Sequence, residues 1–150
     1  MKIIWTTIGL VVAALVAGTS HAQDRKIEAA IKHRRAAFTL MSTYVNRLVQ
    51  TVEGGRPFDA ARSLEDARSV EVISRLPWEG FVPGSERGET RARDDIWFEE
   101  DRFKRLATEL QSRTGALARA AESGSLQRLT VAVEDMRDTC NRCHKAFRKD

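Results

Sequence analysis

Only two cysteines occur in 150 residues, Cys140 and Cys143. So few rule out a scaffold held by several disulfides, and one bridge between residues three apart would restrain the unfolded chain little. No stretch alternates apolar and polar residues long enough to read as a strand, and no internal repeat or low-complexity tract occurs. Only one long apolar run is present, Ile3 to Ala17. Neither sign of charge dominates: beyond residue 22 there are 24 Lys and Arg against 21 Asp and Glu, a net +3, interleaved along the chain. That balance describes a solvated, salt-bridged surface. A nucleic-acid footprint needs cations gathered on one face, so no nucleic-acid partner is expected.

The apolar run reads as an export leader. Lys2 supplies a charged start, and "TSHA" (residues 19–22) sets Ser20 and Ala22 at the small-residue positions that a signal peptidase reads. The run falls short of the ~20 residues that span a bilayer, which makes a retained anchor the weaker reading. Cleavage after Ala22 leaves residues 23–150 as one periplasmic domain with one core and no membrane segment.

Four amphipathic helices are predicted in that domain. Helix A covers about residues 25–52, with Ile27, Ile31, Phe38, Met41, Val45, Leu48 and Val52 on one face; "EGGRP" (53–57) stops it. Helix B covers about 58–76, with Phe58, Ala61, Leu64, Ile73 and Leu76 as its core positions and "RSLEDARSVE" as a solvated face. The next stretch, "PWEGFVPGSERGET" (77–90), holds two of the three prolines and three of the nine glycines. Irregular segments of this length usually have a function. Helix C covers about 94–122, with a stripe of Ile96, Phe103, Leu106, Leu110, Leu117 and Ala121. Helix D starts at Ser125, a suitable N-cap, and carries Leu126, Leu129, Val133, Met136, Cys140, Cys143 and Phe147 in steps of three and four. The fold class is all-α, an antiparallel up-down-up-down four-helix bundle.

The cysteines sit on the inward seam of helix D. Residues three apart on a helix share a face, and His144 lies one step further round. Two thiols able to form thioether bonds with haem vinyl groups, followed at once by an imidazole for the iron, make the c-type attachment pattern. A zinc site needs about four ligands, or three where it is catalytic, and Cys143 and His144 are too close in sequence to serve one tetrahedral ion together. A thioredoxin-type pair belongs after a strand, and none precedes this one.

Four blocks in order resemble the cytochromes c′: "IKHRRAAFTLM" (31–41), "GRPFDA" (55–60), "LPWEGFVPGSERGET" with Ile96–Trp97, and "CNRCHKAFRK" (140–149). The resemblance implies a bundle around one covalently bound haem c per chain. It implies thioether bonds from Cys140 and Cys143 and an axial iron bond from His144. It sets Arg34 near the haem propionates, where a guanidinium fork suits a carboxylate. It sets Arg35, Thr90 and Arg91 along the haem edge and Arg148 on the proximal side. Asp94 stands where the family often has proline.

By the same resemblance, Phe38 packs over the distal face of the iron. Low-spin relatives carry methionine there; phenylalanine has no lone pair to offer. The expectation is a five-coordinate, high-spin haem. Met41, three residues on, is the one neighbour able to ligate instead, and His33 is a boundary residue. Such a site should bind nitric oxide and carbon monoxide and discriminate against O₂, which depends more on distal hydrogen-bond donors. An electron carrier with a soluble periplasmic partner is the alternative. Catalysis is not expected, since a peroxidase needs a distal acid–base group. The resemblance also implies a homodimer through helices A and B.

Overall fold

The helices start and stop where the sequence supplies partners for their ends. The computed structural model describes the backbone of residues 2–150 and the side chains of residues 22–150; the leader expected over 1–22 lies outside the fully described residues. It contains α1 (Lys2–Val52), α2 (Ala60–Ile73), α3 (Asp95–Phe98), α4 (Glu100–Glu122) and α5 (Leu126–Phe147), with a 3-10 turn at Pro77–Gly80. Asp59 caps α2 by accepting the Arg62 N–H at 3.1 Å, and Ser125 caps α5 by accepting that of Arg128 at 3.3 Å. Glu100 and Asp101 in the first turn of α4, and Arg119 in its last, match the helix dipole. Gly124 takes φ +64° just beyond α4, a left-handed geometry that glycine adopts without strain.

α1, α2, α4 and α5 form a closed ring in chain order, each packed against the next and α5 against α1. This is the expected up-down-up-down bundle. Its main core contains Leu48, Val70, Leu117, Leu129, Val133 and Met136, all 0% exposed. Each such side chain contributes about 1.5–3 kcal/mol by leaving water. A second cluster of Ile96, Phe103, Leu106 and Phe147 lies towards the end of α5. Cys140 packs against the first cluster and Cys143 against the second. Among the described residues, no helix is long and apolar enough to cross a membrane.

The register of α2 differs from expectation. Its buried residues are Ser63, Ala67, Val70 and Ile73, which means the stretch read as solvated supplies the inward face. Phe58, Ala61 and Leu76 are exposed instead. Small residues explain this, because Ser63 and Ala67 let α2 approach α1 and α4 closely while longer polar neighbours face water. The helix stops at Ile73, where the Ser74 hydroxyl bonds the Glu71 carbonyl at 2.7 Å and Thr114 of α4 at 3.0 Å.

Helix C is broken at Glu99, whose φ of −117° and ψ of 41° leave the helical region. The break lets Ile96 be buried while the Trp97 indole donates to Glu86 at 2.8 Å; Phe98 is left 83% exposed. Leu126, expected on the core seam, is 39% exposed at the start of α5.

Candidate functional site

A cavity of about 900 Å³ opens between α1 and α5, where the ring of helices is closed over the shortest stretch. That lies at the upper end of ligand-pocket volumes. Members of both core clusters line it, among them Leu110 of the first and Phe103 of the second. All nine residues expected at the site border this one cavity: Arg34, Arg35, Phe38, Thr90, Arg91, Cys140, Cys143, His144 and Arg148. Met41 borders it too. His33 does not; its Nε2 bonds the Leu76 carbonyl at 2.8 Å and lies 3.0 Å from Glu79.

From α5, both thiols are half-buried and not joined to each other. Burial raises both pKa values, and proximity to Cys140 adds to the effect at Cys143, pushing it up to about 11. That is the opposite of an activated or metal-binding thiolate. Among the described residues, no three His, Cys, Asp or Glu side chains come together as a metal set. His144 is exposed on one edge; partial burial, then Arg148 and Arg91, hold its imidazole below the usual range. The neutral ring favoured there keeps the lone pair that an iron ligand needs. Arg142, between the cysteines, fastens this segment by donating to Glu109 on α4, to Asp138 at 2.8 Å and to buried Thr139 at 3.2 Å. In return it holds the Glu109 carboxyl below the ordinary carboxylate range.

From α1, Arg34 is 2% exposed. Its Nη1 donates to the Gly80 carbonyl at 2.7 Å and the Ser85 hydroxyl at 2.6 Å, and its Nη2 to the Ser85 carbonyl and the Thr90 hydroxyl at 2.7 Å. These four bonds engage all four Nη hydrogens and leave only Nε–H. Burial lowers its pKa to about 10, so the group stays charged, and it lies 4.4 Å over the Phe81 ring. Arg35 donates to the Glu89 carbonyl at 2.9 Å from the exposed rim.

The segment 77–93, here called the strap, runs over the cavity and is fixed at both ends. At its start, a Cβ added to Gly80 would lie 2.6 Å from the Ala30 carbonyl oxygen and 2.8 Å from Arg34 Cβ, so only glycine permits this approach to α1. At its end, Ala92 bridges Arg148, Arg93 N–H donates to the Phe147 carbonyl at 3.0 Å and Lys149 N–H to that of Arg91 at 2.7 Å. That pairing brings Arg91 and Arg148 to one rim.

Trp78 and Phe81, which the sequence reading did not single out, come in with the strap. Phe38 meets Trp78 edge-on at 6.0 Å between centroids and Phe81 at 6.3 Å; Phe81 meets Phe103 at 4.8 Å, and Phe103 meets Phe147 at 5.4 Å. Their signal was "PWEGF", two large rings flanking a glycine in an otherwise polar loop. Glu86 ties the strap to α3. Its carboxyl lies below its ordinary pKa of 4.5, chiefly through its own backbone N–H and then the Trp97 indole. The stabilisation is complete above that ordinary value and is lost as pH falls through the lower folded value. Thermal melts from about pH 6 to about pH 3 should therefore show Glu86→Gln losing less stability on acidification than the wild type. Parallel losses would exclude this contribution.

Two half-buried neutral thiols one turn apart, an imidazole beside the second, and a roomy aromatic-lined cavity fit a flat, covalently held haem. The Cytochrome C' family matches residues 29–148. The chain is 37% identical over 127 residues to the cytochrome c' of Alcaligenes xylosoxydans xylosoxydans, covering 85% of this chain and 98% of that one. The structure of cytochrome c prime from Shewanella frigidimarina superposes with a TM-score of 0.81 at 34% identity, covering 83% of this chain and 97% of that one. A nitric oxide complex of a variant cytochrome c prime from Alcaligenes xylosoxidans superposes with a TM-score of 0.78 at 36% identity, covering 83% and 96%. This chain belongs to the cytochrome c′ family.

Proposed function

We propose that this protein is a periplasmic gas-binding cytochrome that takes up nitric oxide and carbon monoxide and discriminates against O₂. Family membership implies a c-type haem. In this reading Cys140 and Cys143 hold one haem per chain through thioether bonds, and His144 supplies the axial nitrogen. The haem would supply an iron centre for diatomic ligands and for one-electron redox change; what the chain supplies is selection.

One observation carries the reading: Phe38 faces the cavity from α1 while His144 faces it from α5. The ring offers iron no lone pair and a bound gas no hydrogen bond. Oxygen, which gathers negative charge when bound, gains nothing from such a wall, whereas nitric oxide and carbon monoxide depend on it less. The absence of an acid–base group at Phe38 also makes a binding role more apt than catalysis. Export through the leader and a homodimer through α1 and α2 belong to the same reading; Leu40, Val72 and Leu76 are exposed on those helices and their ends.

Absorption and resonance Raman spectra of the purified holoprotein test it. The expected ferrous form is high-spin and binds NO and CO but not O₂. A low-spin ferrous spectrum with sulfur ligation would mean that Met41, on the same cavity wall, ligates the iron; the protein would then be an electron carrier.

A further inference from the structure

In the reading above Phe38 must move for a gas to enter. Trp78 and Phe81, which line the same cavity beside it, decide through their contacts with its ring how easily it moves. Its ring is held edge-on by Trp78 and Phe81, which stack on each other at 6.2 Å with 23° between planes. Both rings belong to the strap. Trp78 is pinned further, because its indole N–H donates to the Ser74 carbonyl at 2.6 Å. The strap in turn is latched by the four Nη bonds of Arg34, one helical turn before Phe38 on the same face. Lid and latch are therefore two side chains of one helix, joined through a loop 40 residues away in sequence.

We propose that Trp78, held by the Arg34-latched strap, is the backstop that limits the movement of Phe38 and so determines how fast and how selectively gases reach the site. The proposal rests on the reading of Phe38 as the distal lid. Trp78 and Arg34 are positioning residues: they act on the entering gas through Phe38. The device is steric. The Phe38 ring can swing away only by parting from Trp78 and Phe81, and an aromatic pair resists separation beyond its buried area.

The test is a double-mutant cycle on the ferrous holoprotein, reading CO association by stopped flow, with hydrogen exchange of the residue 80–90 amides as a second readout. Trp78→Leu should accelerate CO association about tenfold, the rate equivalent of one lost aromatic pair. In a Phe38→Ala background the same change should have no further effect, since the ring it restrains is gone. Arg34→Lys keeps the charge and loses the fork; it should speed both strap exchange and CO association. Trp78→Leu should speed CO association with little change in strap exchange.

Equal acceleration by Trp78→Leu in both backgrounds would show that Trp78 acts independently of Phe38 and would overturn the proposal. So would an unchanged rate in Trp78→Leu where Phe38→Ala is fast, and this outcome leaves the lid reading intact. No effect of Phe38→Ala would overturn the lid reading itself. Unchanged strap exchange in Arg34→Lys would remove the latch. Should Trp78→Leu not fold, Trp78→Phe gives the same cycle with a smaller acceleration expected, and an unchanged rate there overturns the backstop equally.

Discussion

Replacing Cys140 and Cys143 together with serine is expected to abolish covalent haem and, with it, the packed bundle. A hydroxyl in place of each thiol cannot form the thioether, so the mass of the denatured chain should be that of polypeptide alone. The structural effect follows from the cavity. A chain keeping about 900 Å³ without its occupant would leave Phe103, Leu106 and Leu110 without packing partners on that side. Water entering from the open side would wet these apolar side chains, and a domain has only ~5–15 kcal/mol of stability to lose. The two core clusters, which Cys140 and Cys143 border separately, would then collapse towards each other or separate. The helices have good caps and their own amphipathic faces, so far-UV circular dichroism should be largely kept while near-UV signal and cooperative melting are lost. A sharp wild-type-like melt from the double variant would show that the bundle stands without its cofactor.

The sequence was legible where one face of a helix does one job. α5 shows this best: its steps of three and four placed Leu129, Val133 and Met136 in the core and both thiols on the cavity wall. The family resemblance supplied the other candidate residues, and the nine line one cavity, while the roles it implies for them belong to the proposed function. Reading failed where small or polar residues carry the packing. α2 turns Ser63 and Ala67 inward, which a hydrophobicity pattern cannot distinguish from a solvated face. The break at Glu99 was hidden because its cause is tertiary: Trp97 reaches back to Glu86 on the strap. Trp78 and Phe81 were hidden for a similar reason. A loop residue has no periodicity, and only the fit of Gly80 against the α1 backbone shows where the strap must lie. Arg34 is the instructive middle case: it borders the cavity, but the fork that the resemblance set on a haem carboxylate donates to Gly80, Ser85 and Thr90 of the strap.

Replacing Phe38 with alanine should raise both the association rate and the affinity for carbon monoxide by roughly 10- to 100-fold. Two edge-on contacts, with Trp78 and Phe81, hold the ring. At about 0.5–1.5 kcal/mol each they oppose its displacement by roughly 1–3 kcal/mol, which sets that range of fold-changes. Alanine removes the whole penalty, since a methyl group need not move to admit a diatomic ligand. It adds no hydrogen-bond donor, so the gain should fall to CO and NO, and stable oxygen binding should remain absent. The variant should melt lower than wild type by less than a fully buried Phe→Ala change would cause, because Phe38 is only half-buried. The measurement is stopped-flow CO binding with parallel thermal melts. A variant that melts lower but binds CO at the wild-type rate would reduce Phe38 to ordinary core and would leave the cavity without a lid. Acceleration with little loss of stability would instead mark a ring kept over the cavity for what it excludes.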